Sequence, residues 1–93
     1  MIFIINGLKY DTEKMEKVAD VKKWYEWSRP FFNGLGHIYN CELYKSSKGN
    51  WLLIHVQDNA HHGEVIDEEE AKDRLMRYDM NKYEELYGEI PEA

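Results

Sequence analysis

The chain lacks the features that tie a protein to an oxidising compartment or to a membrane. It has one cysteine, Cys41, in 93 residues, so no disulfide can form within it, and a reducing cytoplasm is the expected setting. The same shortage leaves no cysteine cluster for a structural zinc. The N-terminal apolar run, residues 1–5, is shorter than a signal-peptide core or a membrane span. We therefore expect a cytoplasmic protein that does not associate with membranes.

A net positive charge, which is typical of proteins that bind nucleic acid directly, is also missing. The chain has 18 acidic and 12 basic residues and a net charge of −6, so phosphate backbones should repel it. This charge is unevenly distributed. Residues 58–93 hold twelve acids and four bases, a net of −8, whereas residues 1–57 have a net of +2. We expect no direct nucleic-acid ligand, and the acidic part is the first candidate for a binding surface.

The chain does contain enough apolar material for one folded domain. Hydrophobic residues make up 43% of it and aromatic residues 14%, which excludes disorder because each aromatic side chain buries a large area. Chains of this length commonly fold around a single modest core. Residues 1–93 are therefore predicted to form one domain.

The first part of the chain predicts a hairpin followed by a helix. Residues 1–10 contain two stretches that favour strands, and Asn6-Gly7 between them suits a type I′ turn, whose central residues need positive φ. Asp11 offers an N-cap, and apolar residues then recur at helical spacing: Met15, Val18, Val21 and Trp24. We predict a helix that continues to about Trp27.

The second part predicts a central hairpin and two helices. Between residues 37 and 58 the apolar period changes to two, and a polar turn at residues 45–50 divides the two strands. A polar loop at residues 59–64 and a brief edge strand at Val65-Ile66 are expected next. Asp67 suits a helix N-cap, and a second short helix should follow residue 81. The predicted fold class is α+β: a small antiparallel sheet of the two hairpins, packed with one N-terminal and two C-terminal helices.

No motif in the sequence names a catalytic reaction. The segment from Gly34 to Gly36 lacks the third glycine and the Lys-Ser/Thr of a phosphate-binding loop. A divalent-metal site built from His55, His61 and His62 stays open as an alternative, although no spaced pair such as HExxH is present. We predict that the protein is not an enzyme and that it binds no metal or cofactor.

The acidic part supports a binding hypothesis. A helix rises about 1.5 Å per residue, and here nearly every second or third residue is a carboxylate. This spacing approaches the charge density of duplex DNA, about one charge per 1.7 Å. Such a surface would fit the basic groove of a protein that handles nucleic acid. The predicted contacts are six acids and two aromatic anchors: Glu68, Glu69, Glu70, Asp73, Glu84, Glu85, Trp27 and Tyr87.

One other interpretation of the same residues remains. The acids serve solubility alone, as a charged helix face usually does. In that case the protein is a small adaptor or regulator that binds a host or phage protein through the aromatic-rich residues 24–32. The first hypothesis predicts binding that weakens with salt, and the second predicts binding that is nearly insensitive to it.

Three segments carry a resemblance: INGLKYDTE near the start, CELYKSSKGNWLLIHV in the middle, and EEEAKDRL with YEELYGE at the end. In this order they resemble a family of small proteins carried by phages and mobile elements of Gram-positive gut bacteria. The relatives carry a longer glycine-rich segment after the central hairpin, and the family has no catalytic residues to transfer. The resemblance implies a counter-defence role of the anti-CRISPR type, in which the protein inhibits a host nuclease complex or ribonucleoprotein.

Overall fold

The computed structural model describes residues 1–27, 30–31 and 33–93. In this part of the chain the fold is α+β, with two antiparallel sheets and two helices, both C-terminal. Neither helix is long and apolar enough to cross a membrane. The strands and helices follow in the order β1 (Ile2–Ile5), β2 (Leu8–Asp11), β3 (Glu16–Glu26), β4 (Gly36–Lys45), β5 (Trp51–Gln57), β6 (Ala60–Ile66), α1 (Glu68–Tyr78) and α2 (Met80–Tyr87).

The larger sheet has four strands in the order β3-β4-β5-β6, each antiparallel to its neighbour. The central hairpin of β4 and β5 was predicted, and β6 extends it. Asp58 and Asn59 have φ values of 52° and 61°, which is the conformation of a two-residue type I′ turn. The prediction of a polar loop at residues 59–64 is therefore wrong, because this turn returns the chain directly along β5.

The N-terminal hairpin forms a sheet of its own. Asn6 and Gly7 adopt the predicted positive φ values, 52° and 76°, and β1 pairs with β2. The hairpin lies on one face of the larger sheet, where Tyr10, Leu52 and Ile54 form a small core. The expectation that both hairpins join one sheet is wrong, since the chain uses the first hairpin to cover the second.

The two helices cover the other face of the larger sheet. Asp67 caps α1 by accepting a hydrogen bond from the Glu70 amide at 2.8 Å, as predicted. Ala71 and Leu75 of α1 are completely buried. They pack in the main core with residues of all four strands: Val18, Ala19, Val21, Cys41, Leu43, Trp51, Leu53 and Ile66. The larger sheet is therefore the middle layer, and its strand β5 is buried from Trp51 to His55.

The predicted N-terminal helix is strand β3. Its apparent helical spacing comes from a register shift between Lys17 and Ala19, because a bulge lets Val18 and Ala19 both reach the main core. Beyond the bulge the period is two. The Asp11 cap does form, by accepting from the Glu13 amide at 3.1 Å, but only one 3-10 turn follows it.

Candidate partner-binding site

The six acids predicted to bind a partner lie on the two helices, and four of them pair with bases of this chain. The distances are 3.5 Å from Glu68 to Lys72, 2.6 Å from Glu70 to Lys23, 3.2 Å from Asp73 to Arg77 and 3.5 Å from Glu85 to Lys82. Glu84 accepts a hydrogen bond from the Ile90 amide at 2.9 Å. Within the described chain, Glu69 is the one of the six whose carboxylate has neither an ion pair nor a hydrogen bond. The helical surface has a net negative charge, but acidic and basic side chains alternate on it.

Glu70 belongs to a network that joins the sheet to α1. The Lys23 ammonium lies 2.6 Å from Glu70 and 2.8 Å from Glu64, and the Tyr25 hydroxyl donates to Glu64 at 3.0 Å. Burial opposes the charge of Lys23, but the bonds to both carboxylates outweigh it and raise its pKa. Burial and the nearby Glu64 raise the pKa of Tyr25 far above its ordinary value. Glu70 therefore binds Lys23 of the same chain and joins α1 to the sheet.

The two predicted anchors occupy different surroundings. Tyr87 packs against the main core at the end of α2, with the Lys72 ammonium 4.7 Å above its ring and Tyr83 beside it. Its hydroxyl is buried, and the described residues give it no hydrogen-bond partner. Trp27 follows β3 and donates from Nε1 to the Tyr39 hydroxyl at 3.2 Å. Both side chains thus contact this chain and are only partly exposed.

Beyond the four-stranded part of the sheet, β3 and β4 continue as a two-stranded ribbon. Trp24 pairs with Ile38, and Glu26 pairs with Gly36, whereas the pairing of β4 with β5 begins only at Cys41. We call residues 22–26 and 36–40 the ribbon. In the described chain no strand pairs with its β4 edge. The Cα radius of gyration is 14.5 Å, above the roughly 12 Å expected for a compact domain of this length.

One face of the ribbon exposes apolar side chains. Trp24 is 50% exposed and Ile38, directly opposite it, is 56% exposed. Phe31 and Leu35 lie in the segment that connects the strands and are also exposed. Gly36 fits beneath Trp24, because a Cβ atom there would meet the indole ring and the Tyr25 carbonyl oxygen. The ring of Trp24 is therefore supported from below while its outer surface stays open.

The other face of the ribbon is packed with rings. Tyr25 stacks on His55 at a centroid distance of 4.3 Å, and His55 stacks on His62 at 5.2 Å. Tyr39 lies 5.0 Å from His55 and 4.9 Å from His37. These contacts hold the base of the ribbon to β5 and β6. On one face, aromatic and histidine rings thus connect the ribbon to β5 and β6. On the other face, its side chains are exposed to solvent.

The histidines do not gather around one point. His62 faces the helix side of the sheet with His55, whereas its neighbour His61 faces the opposite side, because side chains alternate along a strand. His55 is 6% exposed, and its Nε2 lies 3.3 Å from the Gln57 side-chain oxygen. Burial lowers the pKa of His55. In the ranges that the structure describes, no group of three or more His, Cys, Asp or Glu residues could hold a metal ion.

Cys41, the single thiol, is a core residue. It is 2% exposed and its Sγ lies 3.5 Å from the Tyr39 carbonyl oxygen, to which it donates. Burial raises the pKa of this thiol, which disfavours the reactive thiolate. Its position supports a packing role.

Comparison of this chain with protein-family models, with curated proteins and with solved structures gave no match. The residue pattern predicted an aromatic surface at residues 24–32, but it did not indicate Ile38 or the free edge of β4. A strand assignment for residues 16–26 would have placed Ile38 opposite Trp24, but the free edge depends on where β5 stops pairing with β4.

Proposed function

We propose that this chain is a non-enzymatic, cytoplasmic binding module that holds an extended segment of a partner protein against the ribbon. The observation behind this proposal is the edge of β4 from Gly36 to Ile38. It is unpaired in the described structure, carries no carboxylate or ammonium group and lies beside exposed apolar side chains. A free strand edge offers backbone N–H and C=O groups to an incoming strand. The partner segment would add one strand to the ribbon.

The other edges of the larger sheet are less suited to this addition. The outer edge is β3, which presents Lys17, Asp20 and Lys22, and charged side chains are a common protection of edge strands. On the opposite edge, β6 carries Glu64, which already holds Lys23. The short β4 edge in the ribbon combines a charge-free stretch with the exposed apolar side chains of Trp24 and Ile38.

The side chains beside this edge would decide which segment binds. Successive residues of an added strand point to opposite faces of the ribbon. One row would meet Ile38 and Trp24, and the other would meet His37 and Tyr39. Burial of a large apolar side chain contributes roughly 1.5–3 kcal/mol, so Trp24 is the expected hot spot. A partner segment with alternating apolar residues fits this arrangement.

The test places a photo-crosslinking residue at position 38 and, in a control protein, at position 69 on α1. Both are exposed to extract from a Gram-positive host, and the crosslinked peptides are sequenced. We expect one extended segment at position 38, and a synthetic peptide of that sequence should then bind the purified protein. Ile38→Lys should weaken this binding about tenfold or more, whereas Ile4→Lys, at a 67% exposed strand position of the N-terminal hairpin, should not. Equal binding by both variants would contradict the proposal.

A second candidate function is favoured by the net charge of −8 in residues 58–93. In it the helical acids occupy the basic nucleic-acid groove of a host defence nuclease complex, most directly a CRISPR effector. The best variant reverses Glu69, Asp73 and Glu85 to lysine and leaves Glu70 in place, since Glu70 holds Lys23. This candidate predicts that the triple variant loses inhibition and that wild-type binding weakens with salt. Full inhibition by the folded triple variant would exclude it and leave the ribbon proposal intact.

A further inference from the structure

A cleft of about 330 Å³ lies between the N-terminal hairpin and the turn that joins β4 to β5. It sits at the opposite end of β4 from the ribbon, so it is separate from the proposed partner edge. Its volume falls at the lower end of the range for small-molecule sites, about 300–1,000 Å³. The cleft is large enough for a ligand the size of a nucleotide.

Three lysines line this cleft: Lys9, Lys14 and Lys48. Elsewhere in the described chain, six bases form ion pairs with carboxylates, and Lys45 lies over the Trp51 ring. Among the described residues, one other lysine, Lys22, has neither an ion pair nor a ring contact. The uncommitted cations of an acidic protein are therefore concentrated at a single cleft.

The remaining polar groups of the cleft favour an anion as well. Ser46 accepts a hydrogen bond from the Asn50 amide at 3.0 Å, which leaves its hydroxyl proton free to donate. Ser47 and Asn50 add a hydroxyl and a carboxamide to the lining. Asp11 is the one acid that lines the cleft, and its Oδ1 already accepts from the Glu13 amide. Three positive charges and one negative charge leave an excess of two positive charges.

Apolar side chains form another wall of the same cleft. Leu8 is 53% exposed there, and Met15 and Tyr10 lie beside it. A simple inorganic ion would leave this wall uncovered, whereas an organic body would cover it. We propose that the cleft binds a phosphate-bearing small molecule of nucleotide size, with its phosphates on the lysines and its flat body against Leu8 and Met15.

The test is a titration of the isotope-labelled protein with ADP and, separately, with pyrophosphate, followed by amide NMR shifts at about 0.15 M salt. We expect saturable shifts confined to residues 8–15 and 46–50, with ADP binding more tightly than pyrophosphate. The double variant Lys9→Gln, Lys48→Gln should bind about tenfold more weakly, and the same spectra show whether it is folded. Lys22→Gln is the matched control and should bind like the wild type.

A variant that should gain affinity completes the test. Asp11→Asn removes the one negative charge of the cleft and keeps a side chain that can cap the 3-10 turn, so it should bind ADP more tightly. The proposal would be overturned by shifts that do not saturate, or by a loss of ADP affinity in the Lys22→Gln protein equal to that in the double variant. Equal affinity for ADP and pyrophosphate would overturn the role given to the apolar wall.

Discussion

The two ends of strand β4 differ in their surroundings, because one end lies in the core and the other lies at the surface. From Cys41 to Lys45 it has a strand on each side, and Leu43 is completely buried. From Gly36 to Ile38 it has one described neighbour, β3, and Ile38 is 56% exposed. Apolar side chains at the first end are removed from water on folding, whereas those at the second end remain available. The contrast predicts that the packed end determines stability and the ribbon determines binding.

The largest effect should come from Leu43→Ala. This substitution removes buried methyl groups from the main core and leaves a cavity, which costs about 2–5 kcal/mol. Ile38→Ala, at the other end of the same strand, should change the free energy of unfolding by no more than about 0.5 kcal/mol. Urea unfolding of both variants measures the difference. Equal destabilisation would show that the ribbon is part of the cooperative core.

A smaller loss is expected from Lys23→Met, at the place where the ribbon meets α1. The variant removes the ammonium that lies between Glu64 and Glu70. Glu64 keeps the Tyr25 hydroxyl and Glu70 keeps Arg74 at 3.7 Å, so the expected loss is about 1 kcal/mol, since both carboxylates stay partly solvated. Lys22→Met is the control, since the neighbouring lysine has no such partner among the described residues. Unfolding free energies that are the same for both variants would contradict a connecting role for Lys23.

Gly36→Ala should loosen the ribbon alone. The added Cβ would lie 2.6 Å from Cζ2 of Trp24 and would also meet the Tyr25 carbonyl oxygen, an overpacking strain of about 1–3 kcal/mol. Amide hydrogen exchange in the ribbon should then become about 5- to 150-fold faster, whereas amides of β5 should keep their protection. Asn40→Ala, at an exposed position of the same strand, is the control. Faster exchange throughout the sheet would mean that the two ends of β4 unfold together.

The smallest effect concerns pH and the ring stack at the base of the ribbon. Burial lowers the pKa of His55, so as pH falls below about 6.5 the unfolded chain takes up a proton first and stability decreases. The decrease stops once the folded protein is protonated too. His55→Phe should make the free energy of unfolding less dependent on pH, by at most about 1.4 kcal/mol per pH unit, the limit for one proton. His61→Phe, on the opposite side of β6, should leave it unchanged, and thermal melts from pH 7 to 5 compare the two.

Local signals predicted several elements of the fold. The Asn6-Gly7 turn, the Asp67 cap and the alternation in β4 and β5 involve residues close in sequence, and the structure contains all three. The candidate site was harder to predict. The acids were recognised from their number, but their pairing with Lys23 and the helical bases depends on which side chains meet. The ribbon edge depends on where β5 stops pairing with β4.

The amino-acid sequence by itself determined the composition class, the Asn6-Gly7 turn, the caps at Asp11 and Asp67 and the excess of negative charge, because each depends on residue type or on neighbours a few positions away. Only the tertiary structure decided that residues 16–26 form a strand. A bulge at Val18 gives them a spacing that also fits a helix, and the choice depends on pairing with β4. The same long-range pairing leaves one edge of β4 open and brings Lys9 and Lys48 to one cleft.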